Sequence, residues 1–85
     1  MTFDEYVDRL FTALHLERTE SFERSDDLYE TVGLDSLQAF ELVLFTEEIA
    51  GLSAPPSEIP MIFTLGDAYS YYESARAMSK TDIIP

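Results

Sequence analysis

The sequence predicts an all-α fold: one bundle of three main helices and one short helix, with a long loop after the first helix. Apolar residues recur at three- and four-residue spacing in separate segments, which is typical of amphipathic helices. Residues that cap helix N-termini stand directly before these segments. No segment alternates between apolar and polar residues for long enough to predict a strand.

The length and composition indicate a single domain. Dividing 85 residues would leave two pieces too small to hold a core. The 46% apolar content, with five Tyr and six Phe, exceeds that of a disordered acidic segment. We expect the domain to span residues 1–78, followed by a loose tail over residues 79–85.

The first helix is predicted from about Phe3 to Leu16. Thr2 followed by Glu5 is a capping-box signal, because each side chain can satisfy a free backbone N–H at the helix start. The apolar residues that follow lie on one helical face: Phe3, Tyr6, Val7, Leu10, Phe11 and Leu14.

Residues 17–34 are predicted to form a long loop pinned to the core. The segment is more polar than the helices and holds isolated apolar residues: Phe22, Leu28, Tyr29, Val32 and Leu34. Gly33 permits a turn near its end that other residues resist.

The second helix is predicted to begin near Asp35 or Ser36, which are both good N-cap residues, and to stop around Gly51. The segment is apolar over more than half its circumference. Such a helix is either deeply buried or carries a second apolar patch for a partner.

The last third of the chain is predicted to hold two helices. Three prolines follow the second helix and leave room only for a short helix near residues 57–62. Thr64 with Asp67 resembles another N-terminal cap, and the last helix should end near Met78. Its core face would be Leu65, Ala68, Tyr69, Tyr72 and Ala75. The residues we assign to the core around the second helix are Leu42, Val43, Ile49, Ile62, Leu65 and Ala68.

The charge of the chain indicates which partners it can bind. Seventeen acidic against five basic residues give a formal net charge of −12, which argues against nucleic acid or an anionic membrane as a partner. No Lys or Arg lies between Arg24 and Arg76, so partners of that region should be basic. The alternative is that the acidity only keeps a small protein in solution. With no secretory signal and no long apolar run, we expect a cytoplasmic protein.

The residues needed for catalysis or for a metal site are missing from the sequence. The absence of cysteine excludes thiolate metal sites and cysteine nucleophiles. The single histidine, His15, lies near the end of the first helix, where a surface role or a favourable interaction with the helix dipole is commoner than catalysis. The acids around Asp26 do not have the register of a calcium loop, and no glycine-rich phosphate loop is present. We therefore predict no catalytic residue, no metal site and no enzymatic activity.

One short motif does carry chemistry, the run Gly33-Leu34-Asp35-Ser36-Leu37. It resembles the Gly-x-Asp-Ser-Leu signature of the acyl carrier protein family, in stand-alone form. The similarity covers nearly the whole chain, through Leu28, Phe40-Glu41-Leu42-Val43, Glu47-Glu48, Ile62 and Thr64. The resemblance implies an acyl-carrier-like four-helix bundle in which Ser36 carries 4′-phosphopantetheine, derived from coenzyme A, through a phosphodiester.

The resemblance also implies partners. A phosphopantetheinyl transferase would modify Ser36, and the arm's thiol would hold acyl cargo as a thioester. Asp35 and Leu37, on either side of Ser36, would belong to the phosphopantetheine site, and Asp35 would cap the helix or coordinate the transferase's metal. The surface that meets basic patches on the transferase and on acyl-loading and acyl-processing enzymes would comprise Asp35, Leu37, Phe40, Glu41, Leu44, Glu47 and Glu48. Phe40 and Leu44 have core packing as their alternative, the core residues could also line a cleft for an acyl chain, and a monomer is expected.

The sequence departs from the commonest carriers at several positions, namely Gln38, Phe45, Thr46, Ala50 and the tyrosines near Tyr71. These favour a carrier in polyketide or other secondary-metabolite biosynthesis over one in fatty-acid biosynthesis. An aminoacyl, peptidyl or D-alanyl carrier, and an unmodified acidic protein-binding module, remain alternatives.

Overall fold

The computed structural model describes residues 1–17, 21–51 and 61–81, of which residues 78–81 are described by their backbone alone. The helices are α1 (Phe3–Ala13), α2 (Ser36–Ala50) and α3 (Leu65–Thr81). These described ranges are mostly helical and hold no strand, only an isolated antiparallel bridge between Asp27 and Thr64. They are compatible with the predicted all-α class. Most of the predicted short helix over residues 57–62 lies outside the described residues, and Met61 and Ile62 are not helical.

Helix α1 begins as predicted and ends earlier. The Glu5 N–H donates to Thr2 Oγ1 at 3.2 Å and the Thr2 N–H donates to Glu5 Oε1 at 3.0 Å, which confirms the capping box. The predicted end at Leu16 is wrong because His15 adopts a left-handed φ of 58°. The Leu16 N–H then reaches back to the Phe11 carbonyl at 2.8 Å, as in helices closed by a left-handed residue.

The loop after α1 is pinned to the core as predicted. Leu28 and Leu34 are buried, and Phe22 and Val32 pack partly buried against the core. Three backbone hydrogen bonds join the loop to the start of α3: Leu28 N–H to the Phe63 carbonyl at 2.8 Å, Leu65 N–H to the Asp26 carbonyl at 3.0 Å, and Gly66 N–H to the Arg24 carbonyl at 2.8 Å.

Helix α3 confirms the predicted cap and core face. The Asp67 N–H donates to Thr64 Oγ1 at 3.0 Å, and the Thr64 N–H donates to Asp67 Oδ2 at 3.2 Å. The five residues of the predicted face are buried. The predicted end near Met78 is wrong, since the helix continues to Thr81. Residues 79–81 are therefore helical rather than part of the expected tail, and residues 82–85 lie outside the described part.

Tyr6 lies at the centre of the core and links the three helices. Its ring contacts Phe45, Tyr69 and Tyr72, with ring centroids 5.7 to 6.5 Å apart. The Thr46 hydroxyl donates to the Leu42 carbonyl at 2.7 Å, so the Tyr6 hydroxyl is the donor in its 2.7 Å bond to Thr46 Oγ1. Burial raises the pKa of Tyr6 above its ordinary value, which keeps this donor protonated.

The predicted core residues near α2 are confirmed in all but one position. Leu42, Val43, Ile62, Leu65 and Ala68 are buried. Ile49 is only partly buried and packs at the edge of the core.

Gly66, the second residue of α3, lies against the backbone of the loop. A Cβ atom at this position would lie 2.8 Å from the Arg24 carbonyl oxygen, which already accepts the Gly66 N–H at 2.8 Å. The Arg24 guanidinium also lies 5.2 Å from the ring centroid of Phe3 and 5.1 Å from that of Tyr69. The loop therefore cannot retreat without losing these cation–π contacts.

Gly66→Ala is accordingly expected to lower the free energy of unfolding by up to about 2 kcal/mol, because overpacking usually costs about 1–3 kcal/mol and the gain in helix propensity offsets about 1 kcal/mol of it. The sign of the change in the free energy of unfolding is informative, because alanine is otherwise the better helix former by about 1 kcal/mol. Urea denaturation would measure the change. Ser70→Ala, at an exposed position of the same helix, should stay within about 0.5 kcal/mol of the parent. A Gly66→Ala variant that is about 1 kcal/mol more stable than the parent, as helix propensity alone would give, would contradict the close approach.

Candidate functional site

Ser36 is the first residue of α2, and it is exposed. Asp35 is the N-cap: its Oδ1 accepts the Gln38 N–H at 2.7 Å, and its own N–H donates to Gln38 Oε1 at 3.1 Å. This capping box decides between the two candidates for the cap and confirms the capping role expected of Asp35. The Ser36 hydroxyl is consequently not needed to hold the start of the helix.

The turn before α2 fixes where Ser36 lies. Gly33 has a φ of 87°, in the left-handed region that side chains other than glycine rarely adopt. Leu34 is 5% exposed, and its N–H donates to the Leu28 carbonyl at 2.9 Å. With Leu34 anchored in the core, Asp35, Ser36 and Leu37 follow on the surface.

A cavity of about 280 Å³ opens beside Ser36. It lies between the loop, the first two turns of α2 and the segment before α3. Apart from Ser36 it is lined by Leu28, Tyr29, Ala39, Phe40, Leu42, Val43 and Ile62. Among the described residues, the walls are thus apolar except for Ser36 and Tyr29, and they include no histidine or carboxylate. The cavity can receive a small apolar group, but the described lining residues offer Ser36 no general base.

The outer face of α2 combines apolar and acidic residues. Leu37 is 65% exposed, Phe40 46% and Leu44 44%, and Glu41 and Glu48 are also exposed. Core packing therefore does not account for Phe40 and Leu44. We call these five residues the outer face of α2. It carries no basic residue.

Glu47 does not belong to the outer face, so the expectation that it extends the exposed edge is wrong. Its side chain is 5% exposed, and its Oε2 accepts a hydrogen bond from the Tyr71 hydroxyl at 2.6 Å. Partial burial and the neighbouring Glu47 carboxylate raise the pKa of Tyr71 above its ordinary value, so the phenol remains a donor. Helical periodicity places Glu47 at the boundary between the buried and exposed sides of α2. Helix α3 covers this position in the structure.

Three features of the site were missed by the sequence analysis. Gln38 was considered only as a difference from the commonest acyl carrier proteins, although its place three residues after Asp35 is a capping-box pattern. Tyr29 and Ala39 were not linked to Ser36. Ala39 lies three residues after Ser36 on α2, a helical spacing that could have linked the two, whereas only tertiary packing brings Tyr29 of the loop beside α2.

The remaining candidates lie away from these residues. His15 is exposed directly after α1 and does not line the cavity. Within residues 1–17, 21–51 and 61–81, no group of three or more His, Cys, Asp or Glu residues could hold a metal ion. Over the same ranges, every helix is too short or too polar to cross a bilayer. No family model matches the chain, and no solved structure matches it.

Proposed function

We propose that this protein is an acyl carrier whose Ser36 bears a 4′-phosphopantetheine arm that holds acyl groups as thioesters. The observation that carries the proposal is an exposed serine at the first position of α2, beside an apolar cavity. Such a serine can be reached by a modifying enzyme from outside. The tethered group can then either remain in solvent or turn back into the cavity.

The start of α2 is a suitable place for a phosphodiester. The first N–H groups of a helix lack intrahelical acceptors and carry the positive end of the helix dipole, which favours an anion. Asp35 opposes the anion by like-charge repulsion. Its Oδ1 is engaged by the Gln38 N–H, which offsets part of that effect.

The chain would be a substrate rather than a catalyst. Among the described residues that line the cavity beside Ser36 there is no histidine or carboxylate, so we expect a phosphopantetheinyl transferase to supply the base and the metal. The Ser36 oxygen would form a new bond to the phosphorus that bears the pantetheine arm. The pyrophosphate bond of coenzyme A would break, adenosine 3′,5′-bisphosphate would leave, and the serine proton would pass to the base of the transferase.

The outer face of α2 would be the surface that the transferase and the acyl-processing enzymes bind. Exposed Glu41 and Glu48 suit basic patches, while Leu37, Phe40 and Leu44 supply apolar contact area. Association should therefore weaken as ionic strength rises, because exposed charges are screened.

The proposed cargo is an acyl intermediate of polyketide or other secondary-metabolite biosynthesis, with fatty-acid biosynthesis as the second pathway. The departures from common fatty-acid carriers support this order. In particular, Gln38 completes the cap of α2 where many such carriers have an acid, and Thr46 bonds the buried Tyr6 hydroxyl.

Incubation with coenzyme A, Mg²⁺ and a phosphopantetheinyl transferase of broad specificity tests the proposal directly. Intact-mass spectrometry should show one added phosphopantetheine per chain. Reaction with a thiol-specific reagent should then label the modified protein once, because the chain has no cysteine. An unchanged mass with transferases of several classes would instead indicate an unmodified acidic protein-binding module.

A further inference from the structure

Glu47 is a buried acid that the proposed carrier chemistry does not use. Its side chain is 5% exposed, whereas the adjacent Glu48 is exposed. Within the described residues, the hydrogen bond that it receives comes from the Tyr71 hydroxyl, at 2.6 Å. A buried carboxylate is costly unless a donor compensates it, so this bond holds Glu47 in place.

The position of Glu47 around α2 would allow its side chain to lie either at the outer face or on the side packed against α3. At about 100° per residue, Glu47 lies about 20° from exposed Phe40, seven residues earlier, and about 40° from buried Val43. It therefore stands at the boundary between the outer face and the side packed on α3.

The Tyr71 hydroxyl binds the Glu47 carboxylate on the side of α2 that packs against α3. It lies on α3, is partly buried and packs against the core, so its hydroxyl is held next to α2. The hydrogen bond to a charged acceptor is stronger than one between neutral groups. Without that hydroxyl, the Glu47 carboxylate would lose its hydrogen-bond donor. Turning to the solvent beside Phe40 would then be favourable, because water would supply donors in its place.

We propose that the Tyr71 hydroxyl keeps the Glu47 carboxylate away from the outer face of α2, the surface that partners contact, so that Tyr71 is a specificity-determining residue. Through the same hydrogen bond Glu47 links α2 to α3, and we call this link the brace. The acids presented by the outer face are then Glu41 and Glu48, seven residues and about 10.5 Å apart along the helix. A matching partner would place two basic groups at a similar separation, on either side of an apolar contact. The recognition part of this proposal rests on the proposed carrier function, whereas the brace does not.

The recognition part is tested by the rate of Ser36 modification by one transferase in four variants. Glu48→Gln should lower kcat/KM by about two- to fivefold, as expected for an exposed charge at an interface. Glu47→Gln should leave it within about twofold in the parent. In a Tyr71→Phe background, Glu47→Gln should lower it about as much as Glu48→Gln does, because Glu47 is then presented. The rate for Tyr71→Phe alone should also fall more steeply with salt than the parent's rate, which a purely structural change would not cause.

A loss for Glu47→Gln in the parent equal to that for Glu48→Gln would overturn the proposal, as would no loss in the Tyr71→Phe background. Should Tyr71→Phe fail to fold, the comparison of Glu47→Gln with Glu48→Gln still decides. These two variants change neighbouring residues by the same atoms, so each is the matched control of the other.

The brace is tested without any transferase, by thermal unfolding. Tyr71→Phe should lower Tm by about 4 °C or more in the parent, but by less than about 2 °C in a Glu47→Ala background, where no carboxylate is left without its donor. Equal effects in the two backgrounds would overturn the brace. If Tyr71→Phe and Glu47→Ala are coupled in Tm but the protein is never modified, the brace stands and the proposed carrier function is wrong. The two failures are therefore distinguishable.

Discussion

Ser36→Ala is expected to abolish the attachment of phosphopantetheine completely. The phosphodiester needs the serine oxygen, and alanine offers no nucleophile in its place. The fold should be retained, because Ser36 is exposed and the cap of α2 is formed by Asp35 and Gln38. Intact-mass spectrometry after incubation with coenzyme A and the transferase measures the effect, and thermal unfolding should give a Tm within a few degrees of the parent.

Ser70→Ala is the matched control, since it removes the hydroxyl of another exposed serine, on α3. It should be modified at the parent's rate. Modification that persists in Ser36→Ala would mean that a different residue is the attachment site. Loss of both folding and modification would show that Ser36 has a structural role that its exposure does not indicate.

Leu42→Ala and Leu44→Ala are expected to separate the two sides of α2. Leu42 is 1% exposed and lies in the core, so its truncation should lower the free energy of unfolding by about 2–5 kcal/mol. A domain of this size has a total of only about 4–13 kcal/mol, so this loss would be a substantial fraction of its stability. Leu44 is 44% exposed, and its truncation should cost less than about 1 kcal/mol.

In partner binding the expected order is reversed, and Leu44→Ala is the variant with the specific effect. Leu44→Ala should weaken the association with the transferase while leaving urea denaturation almost unchanged, because apolar contacts at the centre of an interface supply most of its affinity. Nearly equal losses of stability in the two variants would contradict the assignment of Leu44 to the outer face. The two residues are of the same type and on the same helix, so only their surroundings differ.

The helix starts could be predicted from the sequence because they depend on residues close together in the chain. Thr2 with Glu5 and Thr64 with Asp67 satisfy free N–H groups within a single turn, and both caps are confirmed. The ends of α1 and α3 could not be predicted as well. The end of α1 depends on His15 adopting a left-handed conformation, which few residues other than glycine favour.

The candidate site could be predicted in part. The exposure of Ser36 and the capping role of Asp35 followed from local sequence, and both are confirmed. The cavity beside Ser36 could not be derived in the same way. Its walls come from the loop, α2 and the segment before α3, and only packing brings these together.

By itself, the sequence determined the helical class, the caps and the apolar stripes, because each depends on residues within one or two turns of each other. Only the tertiary structure decided which boundary residues face the solvent. Phe40 and Glu47 lie about 20° apart around α2, yet the apolar residue is half exposed and the acid is buried. The physical reason is the Tyr71 hydroxyl, which α3 brings within hydrogen-bond distance of the Glu47 carboxylate from 24 residues away in the chain.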